Sequence, residues 1–220
     1  MDEARFAEVD RWIERHRLPE DLILEQVLAA GRTAGLPPID VSPLHGAFLG
    51  LLAHLVKARR ILEIGTLAGY SAICMARALP QDGRLVTIEV DPRHAEVARA
   101  NFARADIVSR IELRVGAALD VLPTLVDAHH AFDMAFIDAD KENNAAYADW
   151  AATLVRSGGV VVIDNVVRGG RIADMADESP QIAGTRSLYA AMRMDKRFEP
   201  AVLQTVGVKG WDGMMICRRL

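Results

Sequence analysis

Cysteine is scarce in this sequence, with two residues among 220. Cys74 and Cys217 lie far apart in the chain, so they do not form the closely spaced pairs that a zinc site needs. Buried free thiols of this kind are typical of proteins in a reducing compartment. The sequence therefore predicts neither a disulfide framework nor a zinc centre, and it favours a cytoplasmic location.

Long apolar runs are also missing. No stretch approaches the roughly 18 consecutive apolar residues of a membrane-spanning helix. The first residues, Met1-Asp2-Glu3-Ala4-Arg5, are charged where a secretory leader would be apolar. We therefore expect a protein that neither crosses a membrane nor is secreted.

An excess of basic residues is the third feature that the sequence lacks. Its 26 Lys and Arg residues are outnumbered by 30 Asp and Glu, and the formal net charge is −4. Broad binding to a phosphate backbone requires a basic face. The pairs Arg59-Arg60 and Arg218-Arg219 are too short to supply one, so we expect no nucleic-acid partner.

Apolar residues, in contrast, are plentiful at 51%, which is enough for one substantial core. Residues 1–57 have helical spacing, and Ser42-Pro43 has the pattern of a helix start. From Arg60 onward apolar strands alternate with helices, as in an α/β protein. We predict one domain over residues 1–220, with a helical cap at 1–57 and an α/β core at 58–220.

The predicted fold class is a Rossmann-like, doubly wound α/β domain with a seven-stranded mixed sheet. Its last two strands are predicted at Phe198–Val206 and Met214–Cys217. The short connection Gly207–Gly213 predicts that they pair as an antiparallel hairpin. Before them we predict a Gly/Asp-rich loop at Arg168–Gly184 and a helix at Thr185–Asp195.

The core is organised around the stretch from Arg60 to Ser71, a short apolar strand followed by Gly-x-x-x-Gly and a helix. Glycines let a ligand approach the backbone, and a helix start offers free N–H groups, so this shape is typical of a nucleotide-like ligand site. The same pattern can also be an ordinary tight turn. Glu63 precedes Gly65, and a carboxylate there suits an ammonium group better than a pyrophosphate.

Acidic residues are predicted at four of five strand ends, and ligands of open α/β sheets bind outside those ends. Glu89 lies 24 residues after Gly65, close to the offset of roughly 20 residues at which an acid hydrogen-bonds a ribose diol in such folds. The alternative is a helix-capping role together with Asp91. These features indicate a nucleoside that carries an amino acid rather than a nicotinamide dinucleotide.

Three oxygen-bearing side chains are predicted at two further strand ends, from Asp138, Asp164 and Asn165. Such hard oxygen ligands suit Mg²⁺ or Ca²⁺. Hydrogen-bonded caps of the following helices are the alternative. Lys141 is predicted at a helix start, where the helix dipole disfavours a cation, and it is therefore a candidate base. A surface ion pair of Lys141 with Glu142 or Asp140 is the competing interpretation.

These residues resemble the motifs of a known family, the cation-dependent O-methyltransferases of the caffeoyl-CoA and catechol O-methyltransferase group. The similarity covers about residues 36–220. The motifs occur in the family's order, as Leu62-Glu63-Ile64-Gly65 with Gly69-Tyr70-Ser71, Phe136-Ile137-Asp138-Ala139-Asp140-Lys141, Ile163-Asp164-Asn165 and Gly210-Trp211-Asp212-Gly213.

The resemblance implies a class I methyltransferase fold and a role for each site residue. The donor would be S-adenosylmethionine, bound by Val41, Glu63, Gly65, Thr66, Ser71, Glu89, Ala118 and Asp140. A divalent cation, Mg²⁺ or else Ca²⁺ or Mn²⁺, would be held by Asp138, Asp164 and Asn165. Lys141 would be the general base, and the oxygen of a metal-bound diol would attack the sulfonium methyl group.

Other functions stay open at this point. The chain could methylate a nitrogen or an RNA base, or it could bind the nucleoside without catalysis. The acceptor is expected to be a small aromatic molecule of catechol type, and a homodimer is expected. Trp211 is a candidate for the acceptor pocket or a dimer contact, and His129 and His130 are predicted to be surface residues.

Overall fold

The computed structural model describes residues 2–126 and 131–220. The surface positions predicted for His129 and His130 lie outside these residues. The helices are α1 (Glu3–Arg17), α2 (Leu22–Thr33), α3 (Pro43–Leu55), α4 (Tyr70–Arg77), α5 (Pro92–Arg104), α6 (Ala118–Val121), α7 (Asn144–Leu154) and α8 (Pro180–Met194). The strands are β1 (Arg60–Ile64), β2 (Arg84–Glu89), β3 (Ile111–Val115), β4 (Phe132–Ile137), β5 (Val155–Asp164), β6 (Phe198–Gly207) and β7 (Gly210–Arg219).

Short 3-10 turns complete four of the connections. They span Val108–Arg110, Leu122–Leu125, Lys141–Asn143 and Arg168–Ala173.

The strands form one mixed sheet of seven in the order β3-β2-β1-β4-β5-β7-β6. Strands β1 to β5 pair in parallel, whereas β7 is antiparallel to both β5 and β6. The predicted doubly wound sheet with a terminal hairpin is confirmed. Because the five parallel strands point the same way, their carboxyl ends meet at one edge of the sheet.

Helix starts follow local capping chemistry. The Ser42 hydroxyl accepts a hydrogen bond from the His45 backbone N–H, with Pro43 in the first turn of α3. The Asp21 carboxylate accepts one from Leu24 N–H at the start of α2, and Asp91 caps α5. Each cap satisfies a backbone donor that has no partner within its helix.

The core has two layers, one on each face of the sheet. Alternate strand residues such as Leu62 and Ile163 pack with α7 and α8 on one face. Their neighbours Ile61 and Val162 pack with helices α2 to α5 on the other face. Burial on both faces explains why the central strands are almost continuously apolar.

Two boundaries of the predicted elements were wrong. Helix α8 begins at Pro180 rather than Thr185, because Pro fits the first turn of a helix and the preceding residue Ser179 is extended. The connection of the hairpin is also shorter than predicted. Pairing continues to Gly207 and Gly210, where a φ of +85° at Gly210 allows a tight turn.

Candidate active site

Two adjoining cavities lie at the edge of the sheet where the parallel strands end. The larger, here called the donor cavity after the donor site predicted from the sequence, has a volume of about 820 Å³. The smaller, here called the acceptor cavity by analogy, has a volume of about 460 Å³. The residues that line both are Ile39, Asp40, Val41, Asp138, Asn165 and Arg168.

Most of the predicted site residues line these cavities. The donor cavity is lined by Val41, Gly65, Thr66, Ser71, Glu89, Ala118, Asp138, Asp140, Lys141 and Asn165. The acceptor cavity adds Asp164. Glu63 lines neither cavity and lies directly behind Ser71, to which it is hydrogen-bonded.

Glu89 holds the glycine-containing loop at the base of the donor cavity. Its Oε2 accepts hydrogen bonds from Thr66 N–H at 3.2 Å and Leu67 N–H at 2.8 Å. Its Oε1 accepts one from Asp91 N–H at 2.9 Å. The carboxylate thus joins the loop after β1 to the start of α5. Glu89 also lines the donor cavity.

Glu63 is fully buried at the end of β1. The hydroxyls of Ser71 and Thr87 donate hydrogen bonds to its two carboxyl oxygens at 2.6 Å and 2.5 Å. Burial nevertheless raises the pKa of Glu63 to about 8, because the hydroxyl hydrogen bonds do not offset the lost hydration. In the described structure this residue therefore contacts hydroxyls, and its contact with an ammonium group stays a prediction.

Two carboxylates, here called the acidic group, lie at the other end of this edge: Asp138 directly after β4 and Asp164 at the end of β5. The Lys141 ammonium donates a hydrogen bond from Nζ to Asp138 Oδ1 at 2.7 Å, and Lys141 is 6% exposed. Lys141 therefore forms its ion pair with Asp138, whereas the competing interpretation placed that pair on the surface with Glu142 or Asp140. Asp164 is buried, and its Oδ1 accepts a hydrogen bond from Asn165 N–H at 2.7 Å.

The electrostatics of this group favour a cation. Burial, together with the negative charge of Asp138, raises the pKa of Asp164. Asp138, Asp164 and Asn165 offer carboxylate and amide oxygens, the donor chemistry of a hard divalent cation. The described residues contain no cluster of three or more His, Cys, Asp or Glu side chains placed to hold a metal ion. A cation at Asp138 and Asp164 would therefore need a third protein ligand of another type, and the Asn165 amide is the predicted one.

The loop from Arg168 to Ser179 reaches the cavities at Arg168, and two distant residues hold it. Asp212 Oδ1 accepts hydrogen bonds from the N–H groups of Val167, Arg168 and Gly213. Arg186 of α8 donates to the carbonyls of Ile172 and Asp177, among others. No sequence pattern pointed to Arg186, whereas Asp212 lies in the Gly210–Gly213 motif.

Two more residues lie near the site without having been predicted there. The Tyr147 hydroxyl donates a hydrogen bond to Asp140 Oδ1, and Tyr147 lines the donor cavity. His45 lines the acceptor cavity, and burial lowers its pKa against the opposing charges of Asp138, Asp10 and Asp212.

Trp211 lies in strand β7 rather than in the hairpin turn. Its Nε1 donates to Gln204 Oε1, and its ring lies where a side chain on Gly170 would be. Trp211 is not among the residues that line either cavity in the described structure.

Within the described residues, no helix has the length and apolar character needed to span a membrane.

Comparison with known proteins gives consistent similarities. A sequence model of the O-methyltransferase family matches residues 14–220. A catechol O-methyltransferase of Mycobacterium tuberculosis is 48% identical over 95% of this chain and 94% of its own. A catechol O-methyltransferase of Niastella koreensis is 45% identical over 98% of each chain. The crystal structure of an O-methyltransferase from Bacillus cereus in complex with SAH has a TM-score of 0.96, with 44% identity over 99% of each chain.

The buried carboxyl of Glu63 predicts a pH-dependent stability. Its pKa is raised from 4.5 to about 8 in the folded state, so folding retains a proton that the unfolded chain releases between these values. The proton held by Glu63 therefore stabilises the folded state fully below about pH 4.5. This stabilisation is lost as the pH rises to about 8, and the free energy of unfolding falls by at most about 1.4 kcal/mol per pH unit. Glu63→Gln should remove this component of the slope, as measured by urea unfolding from pH 5 to pH 8.

Glu96→Gln is the matched control, since Glu96 is exposed on α5. This variant should keep the pH slope of the unsubstituted protein. An unchanged slope in the Glu63→Gln protein would show that Glu63 does not hold a proton in the folded state.

Proposed function

The chain belongs to the O-methyltransferase family, and on this premise we propose that it methylates one hydroxyl of a vicinal dihydroxy aromatic molecule. The methyl donor would be S-adenosylmethionine, and a divalent cation would be required. The observation that carries the proposal is the meeting of the two cavities at Asp138 and Asn165, beside the Lys141 ammonium. A donor and an acceptor bound in these cavities would meet at one acidic group.

The donor cavity has groups for each part of S-adenosylmethionine. Glu89 would accept hydrogen bonds from the ribose hydroxyls while its Oε2 keeps the loop of Thr66 and Leu67 in place. Val41, Gly65 and Ser71 would surround the methionine part, and Asp140 and Ala118 would complete the cavity. When bound, the donor supplies a methyl group on a positively charged sulfur. The Bacillus cereus relative in complex with SAH supports this assignment.

The cation would be held by Asp138, Asp164 and Asn165. When bound there, a divalent cation lowers the pKa of an acceptor hydroxyl and neutralises charge on its oxygens. A cation held by these three side chains would have room for two adjacent oxygens of the acceptor, and we therefore propose a vicinal diol rather than a single hydroxyl. The names of two catechol O-methyltransferase relatives support the same acceptor class.

Lys141 would remove the hydroxyl proton of the acceptor as a neutral amine, after its ammonium has released a proton to solvent. Lys141 lines the donor cavity and is almost fully buried, and its Nζ is hydrogen-bonded to Asp138, which lines both cavities. Proton removal next to the bound donor prepares the oxygen for in-line attack, and positioning of the two reactants supplies much of the remaining rate. The homodimer and the cytoplasmic location expected from the sequence stay predictions.

The function is tested by transfer of a labelled methyl group from S-adenosylmethionine to catechol, resorcinol or phenol. We expect methylation of catechol alone, because only its two adjacent oxygens can share the cation site. Chelation should abolish transfer, and added Mg²⁺ should restore it. Equal methylation of phenol would contradict the diol requirement, and full activity after thorough chelation would contradict the metal role.

Binding of S-adenosylhomocysteine, measured by calorimetry, is the control for this assay. It should survive chelation, because the donor cavity is formed by protein groups. Binding without methylation of any diphenol would favour the alternative of a non-catalytic binding protein.

Lys141→Ala tests the proposed base. We expect kcat to fall by about 100-fold or more at neutral pH, since a positioned base contributes roughly 10² to 10⁴ in rate. The loss should shrink as the pH rises and the acceptor hydroxyl ionises without help. Affinity for S-adenosylhomocysteine should change little.

Lys196→Ala is the control for this variant, because Lys196 is exposed after α8. It should retain full activity. A Lys141→Ala protein that is fully active, or whose activity loss is the same at every pH, would exclude Lys141 as the base.

A further inference from the structure

Arg168 lies at the junction of the two cavities and has no part in the function proposed above. It follows Asn165 by three residues and begins the 3-10 turn Arg168–Ala173. Arg168 lines both the donor cavity and the acceptor cavity. It is therefore within reach of a ligand bound beside the acidic group.

The backbone at Arg168 is held in an unusual conformation. Its φ is +56°, in the left-handed region that side chains other than glycine rarely adopt. The N–H groups of Arg168 and Val167 donate to Asp212 Oδ1 at 2.9 Å and 3.0 Å, which holds the turn in this form. The fold thus maintains a disfavoured backbone that brings this side chain to the cavities.

The guanidinium of Arg168 lacks an anionic partner. Its Nη2 donates to the neutral Oε1 of Gln181, and its Nε is buried without a hydrogen-bond partner. Other arginines differ, since Arg171 pairs with Asp177 and Arg197 pairs with Asp195. No carboxylate of residues 2–126 or 131–220 lies within ion-pair distance of Arg168, whose charge is permanent.

The acidic residues around the acceptor cavity are engaged elsewhere. Asp10 Oδ2 accepts a hydrogen bond from Val208 N–H, and Asp164 Oδ1 accepts one from Asn165 N–H. Asp212 Oδ1 accepts three from backbone N–H groups, and Asp138 pairs with Lys141. Asp40 lines both cavities, and within residues 2–126 and 131–220 it forms no ion pair with Arg168. An anionic group of the ligand would give the Arg168 guanidinium the negatively charged partner that it lacks.

We propose that Arg168 binds a carboxylate of the acceptor and so selects dihydroxy aromatic acids over neutral catechols. Guanidinium and carboxylate groups match in shape and can form two parallel hydrogen bonds. This inference rests on the proposed function, because it assigns the acceptor to the smaller cavity. It goes further by naming a residue that determines which diols are used.

The donor also carries a carboxylate, and Arg168 lines its cavity too, so the test separates the two ligands. Binding of 3,4-dihydroxybenzoate and of its neutral amide is measured by calorimetry on protein saturated with S-adenosylhomocysteine and Mg²⁺. The same two compounds are compared as acceptors by kcat/KM. Affinity for S-adenosylhomocysteine itself is measured separately.

The unsubstituted protein should prefer the acid to the amide by about tenfold or more, as expected for a charge-assisted hydrogen bond. Arg168→Gln should bring the ratio of acid to amide close to one, mainly through KM, and Arg168→Lys should restore part of it. Arg193→Gln is the control for the change in net charge, since Arg193 is exposed on α8. It should keep the preference for the acid.

Three results would overturn the assignment. The first is an unsubstituted protein that binds the acid and the amide with equal affinity. The second is an Arg168→Gln variant whose affinities for acid and amide fall by the same factor. The third is an Arg168→Gln variant that mainly loses affinity for S-adenosylhomocysteine. Failure of the proposed function is distinguishable from all three. In that case neither compound would be methylated, while the binding preference for the acid could still be measured.

Discussion

The close approach of β1 and β4 at their carboxyl ends is the contact on which the site depends. Asp138 N–H donates a hydrogen bond to the Ile64 carbonyl at 2.8 Å. Gly65 has a φ of +100°, and a Cβ built there would lie 2.2 Å from the Asp138 carbonyl oxygen. Only glycine fits this position. Gly65 therefore allows the loop after β1, which lines the donor cavity, to lie directly beside Asp138.

Charge is the second constraint at this edge of the sheet. The parallel strands bring Asp138 and Asp164 together in a partly dry environment, where like charges are costly. Lys141 offsets part of that charge through Asp138. A bound divalent cation would offset the rest, which connects the packing of the strands to the chemistry proposed for the site.

The sequence predicts the backbone of this site better than its side-chain contacts. Strand ends follow from apolar runs and glycines, so the sequence alone assigns Asp138 and Asp164 to one edge of the sheet. The burial of Glu63 behind Ser71 and the pairing of Lys141 with Asp138 depend on side-chain directions, which no local pattern specifies. Contacts such as Asp212 with Val167 join residues that are distant in the chain. Such contacts exist only once the sheet has formed.

The position of the cation tests the central claim most directly. Crystals grown with Mn²⁺, S-adenosylhomocysteine and a catechol would reveal the metal by its anomalous scattering. The account predicts one strong peak among the oxygens of Asp138, Asp164 and Asn165, with both catechol oxygens beside it. A peak elsewhere, or catechol bound in the acceptor cavity with no metal at these residues, would contradict it.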